Sequence, residues 1–361
     1  MKIIADNKIP FLKGVFEPFA EVVYLPGKQI DADAVKDADA MIIRTRTKCN
    51  AALLKGSKVK HIATATIGFD HINTAEVESL GISWNNAPGC NANSVGQYMV
   101  CALQTLGMEL EGKTIGIIGV GHVGSIVADY AHILGMNVLR NDPPRQDAGE
   151  DGFVGLDFLL EHSDVITLHV PLEYEGKYPT FHMADEKFFA KMKKKCVFFN
   201  ASRGEAVKTS ALKKATADGT LSQVILDVWE DEPEIDRALM ENVFISTMHI
   251  AGYSTDGKAN GTTASVRAVA QVLDIPELLS WSPAVLPEPP EEKIIKFTSL
   301  PEVLLHTYDP RNDSSRLRNS PESFEELRGS YPVRREFQAF TVTGVPEDKK
   351  NILQHLGFRI G

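Results

Sequence analysis

Residues 114–142 read TIGIIGVGHVGSIVADYAHILGMNVLRND, and this stretch decides the fold of the central part of the chain. A short apolar strand, Ile115–Ile118, leads into the pattern Gly-x-Gly-x-x-Gly, and a helical run of apolar residues follows. The three glycines are Gly119, Gly121 and Gly124. Placed between a strand and a helix, they allow a tight turn, close approach of a pyrophosphate and close helix–strand packing. The stretch therefore predicts a Rossmann-like unit that binds a dinucleotide.

The end of the second strand predicts which dinucleotide is bound. Asp142 should accept hydrogen bonds from a ribose diol, and its charge would repel a 2′-phosphate, which favours NAD over NADP. Arg145 lies nearby and argues against this preference, because an arginine can accommodate that phosphate. We interpret Arg145 as a solvated loop charge. His122 and Val123, inside the glycine pattern, are further candidate cofactor contacts.

Composition narrows the class of protein. The chain has 361 residues, 43% hydrophobic and 24% charged, which is typical of a globular protein of two or three domains. Its formal net charge of −10 argues against nucleic-acid and anionic-membrane partners. We expect a cytoplasmic protein without a signal peptide or membrane span. The scattered cysteines show no metal-ligand spacing, so no metal site is predicted; they are Cys49, Cys90, Cys101 and Cys196.

Apolar runs alternate with helical stretches through most of the chain, and this order predicts α/β architecture with parallel sheets. The candidate strands of the first ninety residues are Lys2–Ala5, Glu21–Tyr24, Ala40–Ile43, His61–Thr64 and Ile82–Trp84. Those after the glycine pattern are Val165–His169, Cys196–Asn200, Val224–Asp227 and Val243–Ser246, a complement typical of a Rossmann sheet. A long helix from about Ser94 to Leu110 separates the two series.

A proline-rich linker, residues 281–292, precedes a smaller C-terminal segment with candidate strands Lys293–Thr298 and Phe337–Val342. We therefore predict two Rossmann-like parallel-sheet domains and a small α+β domain. The predicted boundaries are residues 1–93 with 258–284 for substrate binding, 94–257 for NAD binding and 285–361 for the small domain.

Three residues that could carry chemistry follow the later strands, where open α/β sheets place their ligand sites. They are Arg203, Glu232 and His249. Transfer of a hydride from an alcohol needs a base for the hydroxyl proton, and a histidine suits that role near neutral pH. An arginine can grip a substrate carboxylate, and a carboxylate beside the histidine can orient its ring. Taken singly, each has an ordinary structural explanation; the hypothesis depends on all three following a dinucleotide motif.

In the order of four segments, the chain resembles the D-2-hydroxyacid dehydrogenase superfamily. The segments are Gly-x-Gly-x-x-Gly, Asn200–Gly204, Asp227–Pro233 and His249–Gly252. Two more specific features, Ala87–Ala92 and a tail containing Arg334-Arg335-Glu336, resemble members that oxidise a phosphorylated 2-hydroxy acid. The resemblance implies a homodimer formed through the C-terminal domain. An alternative is another D-2-hydroxyacid dehydrogenase, such as one acting on 3-phosphoglycerate, or an NAD-sensing corepressor, although corepressors carry other extensions.

The resemblance also implies roles for individual residues. Catalysis would use Arg203, Glu232 and His249, with His249 as the proton donor and acceptor. Besides the glycine loop, cofactor contacts would involve Asp142, Val170, Ala201, Asp227 and Gly252. Substrate contacts would involve Thr45, Thr66 and Tyr253. Val170 stands where the superfamily usually has threonine, so a hydroxyl contact to the cofactor is lost.

The segment after Ile43 is a candidate site for the substrate phosphate. It reads Arg44-Thr45-Arg46-Thr47-Lys48 and places three cations close together. A dianionic phosphate in a chain of negative net charge needs local compensation, and arginine can supply it with two hydrogen bonds. We therefore expect Arg44 and Arg46 to bind the substrate, although a solvated basic edge would explain either arginine equally well.

Overall fold

A computed structural model describes residues 1–361, which form three parallel sheets and their connecting helices. The strands are β1 Lys2–Asp6, β2 Glu21–Leu25, β3 Ala40–Ile43, β4 His61–Thr64, β5 Ser83–Asn85, β6 Thr114–Ile118, β7 Asn137–Asn141, β8 Val165–Leu168, β9 Cys196–Asn200, β10 Leu221–Leu226, β11 Ile245–Ser246, β12 Ile294–Lys296, β13 Thr341–Thr343 and β14 Arg359–Ile360. The helices are α1 Ala32–Val35, α2 Ala51–Leu54, α3 Thr74–Ser79, α4 Ala92–Thr105, α5 His122–Ile133, α6 Pro143–Asp147, α7 Leu156–His162, α8 Glu186–Lys191, α9 Thr209–Ala217, α10 Arg237–Asn242, α11 Thr255–Val272, α12 Leu300–Thr307, α13 Pro310–Asn319, α14 Phe324–Gly329 and α15 Glu347–Leu356.

The chain divides into two compact units, and each unit contains segments that are distant in sequence. The first unit comprises Met1–Asn91 and Thr255–Pro287, and the second comprises Ala92–Ser254 and Glu288–Gly361. The division into three domains stays a prediction, since these two units are what the contacts of the folded chain separate. The C-terminal segment belongs to the same compact unit as the nucleotide-binding sheet. No helix in the structure is both long enough and apolar enough to cross a membrane.

The first unit contains a five-stranded sheet in the order β2-β1-β3-β4-β5. Side chains of a strand point alternately to its two faces, so apolar residues on both faces require two cores. Ile3 and Ile42 lie in one core, together with Val266 of α11, whereas Ile4 and Met41 lie in the other. The continuous apolar runs of the sequence therefore mark a sheet that is covered on both faces.

The second unit contains the predicted six-stranded sheet, in the order β11-β10-β9-β8-β6-β7. The chain leaves β6 for β7 on one side and then returns to place β8 on the other side of β6. The strand order thus reverses between β6 and β8, and open α/β sheets bind ligands at such a switch point, outside the carboxyl ends of the strands. The glycine pattern follows β6 and lies at this position.

The C-terminal segment forms a third, three-stranded parallel sheet in the order β12-β13-β14. Its buried residues, including Leu304, Phe340 and Phe358, are part of the same hydrophobic core as the six-stranded sheet. The predicted strand Phe337–Val342 is wrong in its first half, because Phe337–Ala339 is a turn of 3₁₀ helix. A 3₁₀ turn places residues three apart on one side, and this spacing buries both Phe337 and Phe340.

Candidate active site

The glycine loop has the geometry that a dinucleotide pyrophosphate requires. Gly119 has φ +84°, and a Cβ atom there would lie 2.6 Å from the carbonyl oxygen of His169, so a larger residue would be strained. A Cβ on Gly124 would lie 2.1 Å from the carbonyl oxygen of Gly119, which shows how closely helix and strand pack. No atom lies within 4 Å of a Cβ built on Gly121, and α5 begins at the next residue, His122. The helix start is thus open to an anion.

Asp142 follows β7 and is hydrogen-bonded to the glycine loop. Its Oδ2 accepts a hydrogen bond from the Val120 amide at 2.7 Å, and its Oδ1 accepts one from the Arg145 amide at 3.2 Å. The Arg145 guanidinium forms an ion pair with Glu150, in which its Nε lies 3.0 Å from both carboxylate oxygens. Arg145 is therefore not simply a solvated charge. Its charge is already balanced by Glu150, and the contact of Asp142 with the ribose stays a prediction.

Glu150 is a functional candidate that the sequence reasoning missed. It lies in an exposed acidic stretch after α6, and its position in the sequence gives no sign that it faces Arg145. The hydrogen bond to Glu150 and its charge raise the pKa of the Arg145 guanidinium. Glu150 thus neutralises the positive charge that Arg145 could otherwise offer to the 2′-phosphate of NADP.

The three predicted catalytic residues follow neighbouring strands. In the sheet, Leu226 of β10 is paired with Asn200 of β9 on one side and with Ser246 of β11 on the other. The three strands therefore end side by side, and the loops that carry the catalytic candidates start next to one another. These candidates are Arg203, Glu232 and His249.

The loop after β9 is shaped by Asn200. Its side-chain amide donates a hydrogen bond to the Arg203 carbonyl at 2.9 Å, and its Oδ1 accepts hydrogen bonds from the amide and hydroxyl of Ser202. Ala201 and Arg203 are both partly exposed at this turn. A Cβ on Gly204 would lie 1.9 Å from the backbone of Trp229, so glycine is required where this loop passes the loop that carries Glu232.

Glu232 and His249 form a hydrogen-bonded pair. The His249 Nδ1 lies 2.8 Å from Glu232 Oε2, and the other carboxylate oxygen accepts a hydrogen bond from the Trp229 amide at 2.9 Å. Burial alone would raise the pKa of the Glu232 carboxyl, but the adjacent His249 and the hydrogen bond to it outweigh burial and lower that pKa. An ionised Glu232 accepts a hydrogen bond from Nδ1–H, which leaves His249 Nε2 for a ligand; Nε2 makes no hydrogen bond within the chain.

Asp227 holds the loop on which His249 lies. Its carboxylate is buried and accepts hydrogen bonds from the Thr247 hydroxyl and from the amides of Ile250 and Ala251, at 2.6, 2.7 and 2.8 Å. Its backbone carbonyl also accepts a hydrogen bond from the His249 amide. The side chain thus shapes the histidine loop. The cofactor contact expected of Asp227 stays a prediction and would have to use its remaining acceptor capacity.

Two other predicted cofactor residues, Val170 and Gly252, lie beside the glycine loop and in the histidine loop. Val170 lies beside the glycine loop, with its Cγ1 2.9 Å from a Cβ built on Gly119. Gly252 is partly exposed in the histidine loop, and Tyr253, a predicted substrate contact, follows it directly. No group of three or more histidine, cysteine or acidic side chains is arranged to hold a metal ion.

The remaining substrate candidates lie in the first unit, after β3 and β4. These strands are neighbours, since Ile43 is paired with Thr64, so Thr45 and Thr66 emerge at the same edge of the sheet. Thr45 is exposed, whereas the Thr66 hydroxyl donates a hydrogen bond to the Gly68 carbonyl at 2.8 Å.

The basic segment after β3 is a turn and not a continued strand, because the Thr47 amide donates a hydrogen bond to the Arg44 carbonyl. Arg44 also pairs with the buried Asp6, with its Nε 3.3 Å from Asp6 Oδ2. Part of its charge is thus neutralised. Arg46 is partly exposed, and Lys48 is exposed.

Comparison with known proteins agrees with this geometry. Residues 94–251 match the family model described as "D-isomer specific 2-hydroxyacid dehydrogenase, NAD binding domain", and residues 288–357 match a "domain of unknown function". The chain is 51% identical to an erythronate-4-phosphate dehydrogenase of Bacteroides fragilis, over 95% of this chain and 99% of that protein. It is 42% identical to an erythronate-4-phosphate dehydrogenase of Porphyromonas gingivalis, over 99% of this chain and 100% of that protein.

Solved structures of related dehydrogenases share the fold. An NAD⁺-bound 3-phosphoglycerate dehydrogenase of Entamoeba histolytica is 25% identical with a TM-score of 0.65, and covers 78% of this chain and 97% of its own. A D-lactate dehydrogenase of Aquifex aeolicus, in complex with NAD and lactic acid, is 28% identical with a TM-score of 0.63, over 80% and 100%. Taken with the glycine loop, the histidine–glutamate pair and the full-length relatives, these matches show that the chain belongs to the erythronate-4-phosphate dehydrogenase family of the NAD-dependent D-isomer specific 2-hydroxyacid dehydrogenases.

Proposed function

We propose that this protein oxidises 4-phospho-D-erythronate to 2-oxo-3-hydroxy-4-phosphobutanoate with NAD⁺, in the biosynthesis of pyridoxine 5′-phosphate. The observation that carries the proposal is the His249–Glu232 pair, placed after the carboxyl ends of β10 and β11 in a chain 51% identical to a protein named for this reaction. The relatives extend over the C-terminal segment as well as the nucleotide-binding domain. The proposal therefore applies to the whole chain.

His249 accepts the proton of the substrate's 2-hydroxyl group at Nε2. Glu232 holds the ring through Nδ1 and stabilises the imidazolium cation that forms, in the way that a buried carboxylate supports a histidine base elsewhere. The hydroxyl oxygen loses its proton, and the C2 atom that bears this oxygen loses a hydride. The two losses together produce the 2-oxo acid. In the reverse direction, the imidazolium cation returns the proton.

Arg203 binds the substrate carboxylate through its guanidinium group. The Asn200 side chain fixes the turn from which Arg203 projects, and the Arg203 Nη1 donates a hydrogen bond to the Ser202 carbonyl at 2.8 Å. A planar guanidinium can make two parallel hydrogen bonds to a carboxylate, which fixes the orientation of the C2 atom. Thr45, Thr66 and Tyr253 are proposed to contact the rest of the substrate, with Arg44 and Arg46 at its phosphate.

The residues of the second unit fit NAD. The glycine loop and the start of α5 would hold the pyrophosphate, and Asp142 would hold the ribose diol. Ala201, Val170, Asp227 and Gly252 would border the nicotinamide half. When bound, NAD⁺ supplies the hydride acceptor. We further propose that the protein acts in the cytoplasm as a homodimer formed through the C-terminal segment.

The direct test is formation of NADH by the purified protein. We expect turnover of 4-phospho-D-erythronate with NAD⁺ and much lower kcat/KM for D-3-phosphoglycerate and D-lactate. The substitution H249N should remove the activity toward each acid that is turned over. Faster oxidation of D-3-phosphoglycerate would contradict the proposed substrate, and absence of NADH formation with any 2-hydroxy acid would contradict the proposed reaction.

A further inference from the structure

The C-terminal segment holds the loop that follows His249. The Arg334 side chain donates a hydrogen bond to the Ala251 carbonyl at 2.5 Å, and Glu336 Oε1 accepts one from the Ser254 hydroxyl at 2.7 Å. The Ser94 hydroxyl also donates to the Ala251 carbonyl, at 2.9 Å. The side chains of Arg334 and Glu336 are both buried. The loop is thus held by hydrogen bonds to Asp227 and to the tail.

A second part of the tail, α14, lies beside the loop that carries Glu232. A surface pocket is lined by Pro233 and Glu234 of that loop and by Pro321, Glu322 and Glu325 of the tail. The two segments are therefore neighbours, although many residues separate them in sequence. This arrangement brings the start of α14 next to the loop that carries Glu232.

Arg328 is the cation that α14 contributes to this region. Its guanidinium carbon lies 5.4 Å from the centre of the Tyr253 ring, a distance typical of a cation–π contact. Its side chain is only 14% exposed, its ion pair with Glu325 is long at 4.0 Å, and its buried Nε has no hydrogen-bond partner. Most of its positive charge is thus left to act on its other neighbours.

We propose that Arg328 is a positioning residue of the active site, which fixes the Tyr253 ring and keeps a positive charge beside the Glu232–His249 pair. The role of Tyr253 in this inference rests on the proposed function. The charge of Arg328 is one of the influences that lower the pKa of the Glu232 carboxyl, after those of His249. The segment whose matching family model has no known function would therefore contribute to the catalytic chemistry.

The charges around Glu232 determine the expected pH effect. His249 faces it from the loop after β11, Arg328 acts on it from α14, and Glu325 forms a long ion pair with Arg328 on the same helix. Loss of the Arg328 charge would raise the pKa of the Glu232 carboxyl, because a nearby cation favours its ionised form, so Glu232 would take up its proton at higher pH. The acidic limb of the kcat/KM profile would then move to higher pH.

The test compares R328Q and R328K with the wild-type full-length protein. For R328Q we expect an acidic limb about one pH unit higher and a kcat/KM at neutral pH lower by roughly tenfold, because small misplacements near reacting atoms reduce rates strongly. R328K keeps the charge but loses the planar group. Its acidic limb should therefore coincide with that of the wild type, whereas its KM should lie between those of R328Q and the wild type. The matched control is R311Q, which removes an exposed arginine of the tail that pairs with Asp309.

An R328Q profile that coincides with the wild-type profile, or an equal shift in R311Q, would overturn the inference. NMR titration of the Glu232 side-chain carboxyl carbon in the unliganded proteins separates this result from a failure of the proposed substrate, because it needs no turnover. A Glu232 pKa that is higher in R328Q and unchanged in R328K would support the inference even if 4-phospho-D-erythronate were not oxidised. If R328Q fails to fold, R328M takes its place in the comparison with R328K. A Glu232 titration that is the same in R328M, R328K and the wild type would then overturn the inference.

Discussion

His249 has a left-handed backbone conformation, with φ +58°, which a non-glycine residue adopts at a cost of roughly 1–3 kcal/mol. The structure holds it there through the hydrogen bond from its amide to the Asp227 carbonyl, at 2.7 Å. The next two amides are held by the Asp227 carboxylate. The backbone of His249 is thus fixed before a substrate binds, and only its ring remains to respond to protonation.

Replacing His249 tests its role as the base. We expect H249N to lower kcat by about 10²–10⁴-fold, the usual contribution of a general base, while the Kd for NADH stays within a few-fold of the wild-type value. Steady-state kinetics and fluorescence titration with NADH measure the two quantities. H162N, at an exposed histidine of α7, is the matched control and should leave both unchanged. A near-normal kcat in H249N would exclude His249 as the base.

The ribose position offers a second test at the residue scale. D142A should narrow the preference for NAD over NADP, because it removes both the diol acceptor and the charge that repels the 2′-phosphate. E150Q should increase the use of NADP further when combined with D142A, since it releases Arg145 from its ion pair. The kcat/KM ratio of the two cofactors measures the effect. If D142A leaves that ratio unchanged, Asp142 does not select the cofactor.

At the scale of elements, the strand ends decide which side chains meet. The alternation of apolar runs predicted most strands within one or two residues, because a strand buried on both faces needs a continuous apolar run. The periodicity of a strand does not extend to the residues after β3, so it does not predict which of their side chains meet. The structure turns the chain there and pairs Arg44 with Asp6 at the end of β1, which is next to β3 in the sheet.

This turn gives a prediction for the substrate phosphate. R46A should lower kcat/KM for 4-phospho-D-erythronate more than for an unphosphorylated 2-hydroxy acid, whereas R44A should show less selectivity, because part of its charge already balances Asp6. Parallel assays with both acids give the ratio, and K55A, at the end of α2, is the control for loss of a surface cation. Equal losses on both acids in R46A would place the phosphate elsewhere.

At the scale of the whole molecule, the C-terminal segment and the nucleotide-binding sheet form one compact unit. Residues from both, such as Phe199 and Leu304, lie in a single hydrophobic core, and Tyr98 of α4 lies against both Phe199 and Tyr308. A tail that served for subunit contact alone would not need this shared core. Removal of the tail should therefore affect folding as well as assembly.

Truncation after Pro287 tests this expectation. The shortened chain would expose the apolar surface that now packs against Leu304, Phe340 and Phe358, and each large buried side chain contributes roughly 1.5–3 kcal/mol to stability. We expect a lower Tm and aggregation, measured by thermal unfolding and sedimentation, while the full-length protein sediments as a homodimer. A truncated protein that is monomeric and as stable as the full-length chain would mean that the tail serves assembly only.

The sequence alone determined the class of fold, the glycine loop and the three catalytic candidates, because these depend on local patterns: strand periodicity, glycine spacing and residue types after strands. Tertiary structure decided what these patterns could not express. The pairing of Arg44 with Asp6 and the packing of Arg328 on Tyr253 join residues that are far apart in the chain, and no local pattern encodes such contacts. The burial of Asp227 likewise follows from the amides that surround it in the folded chain, which a strand-end position does not reveal.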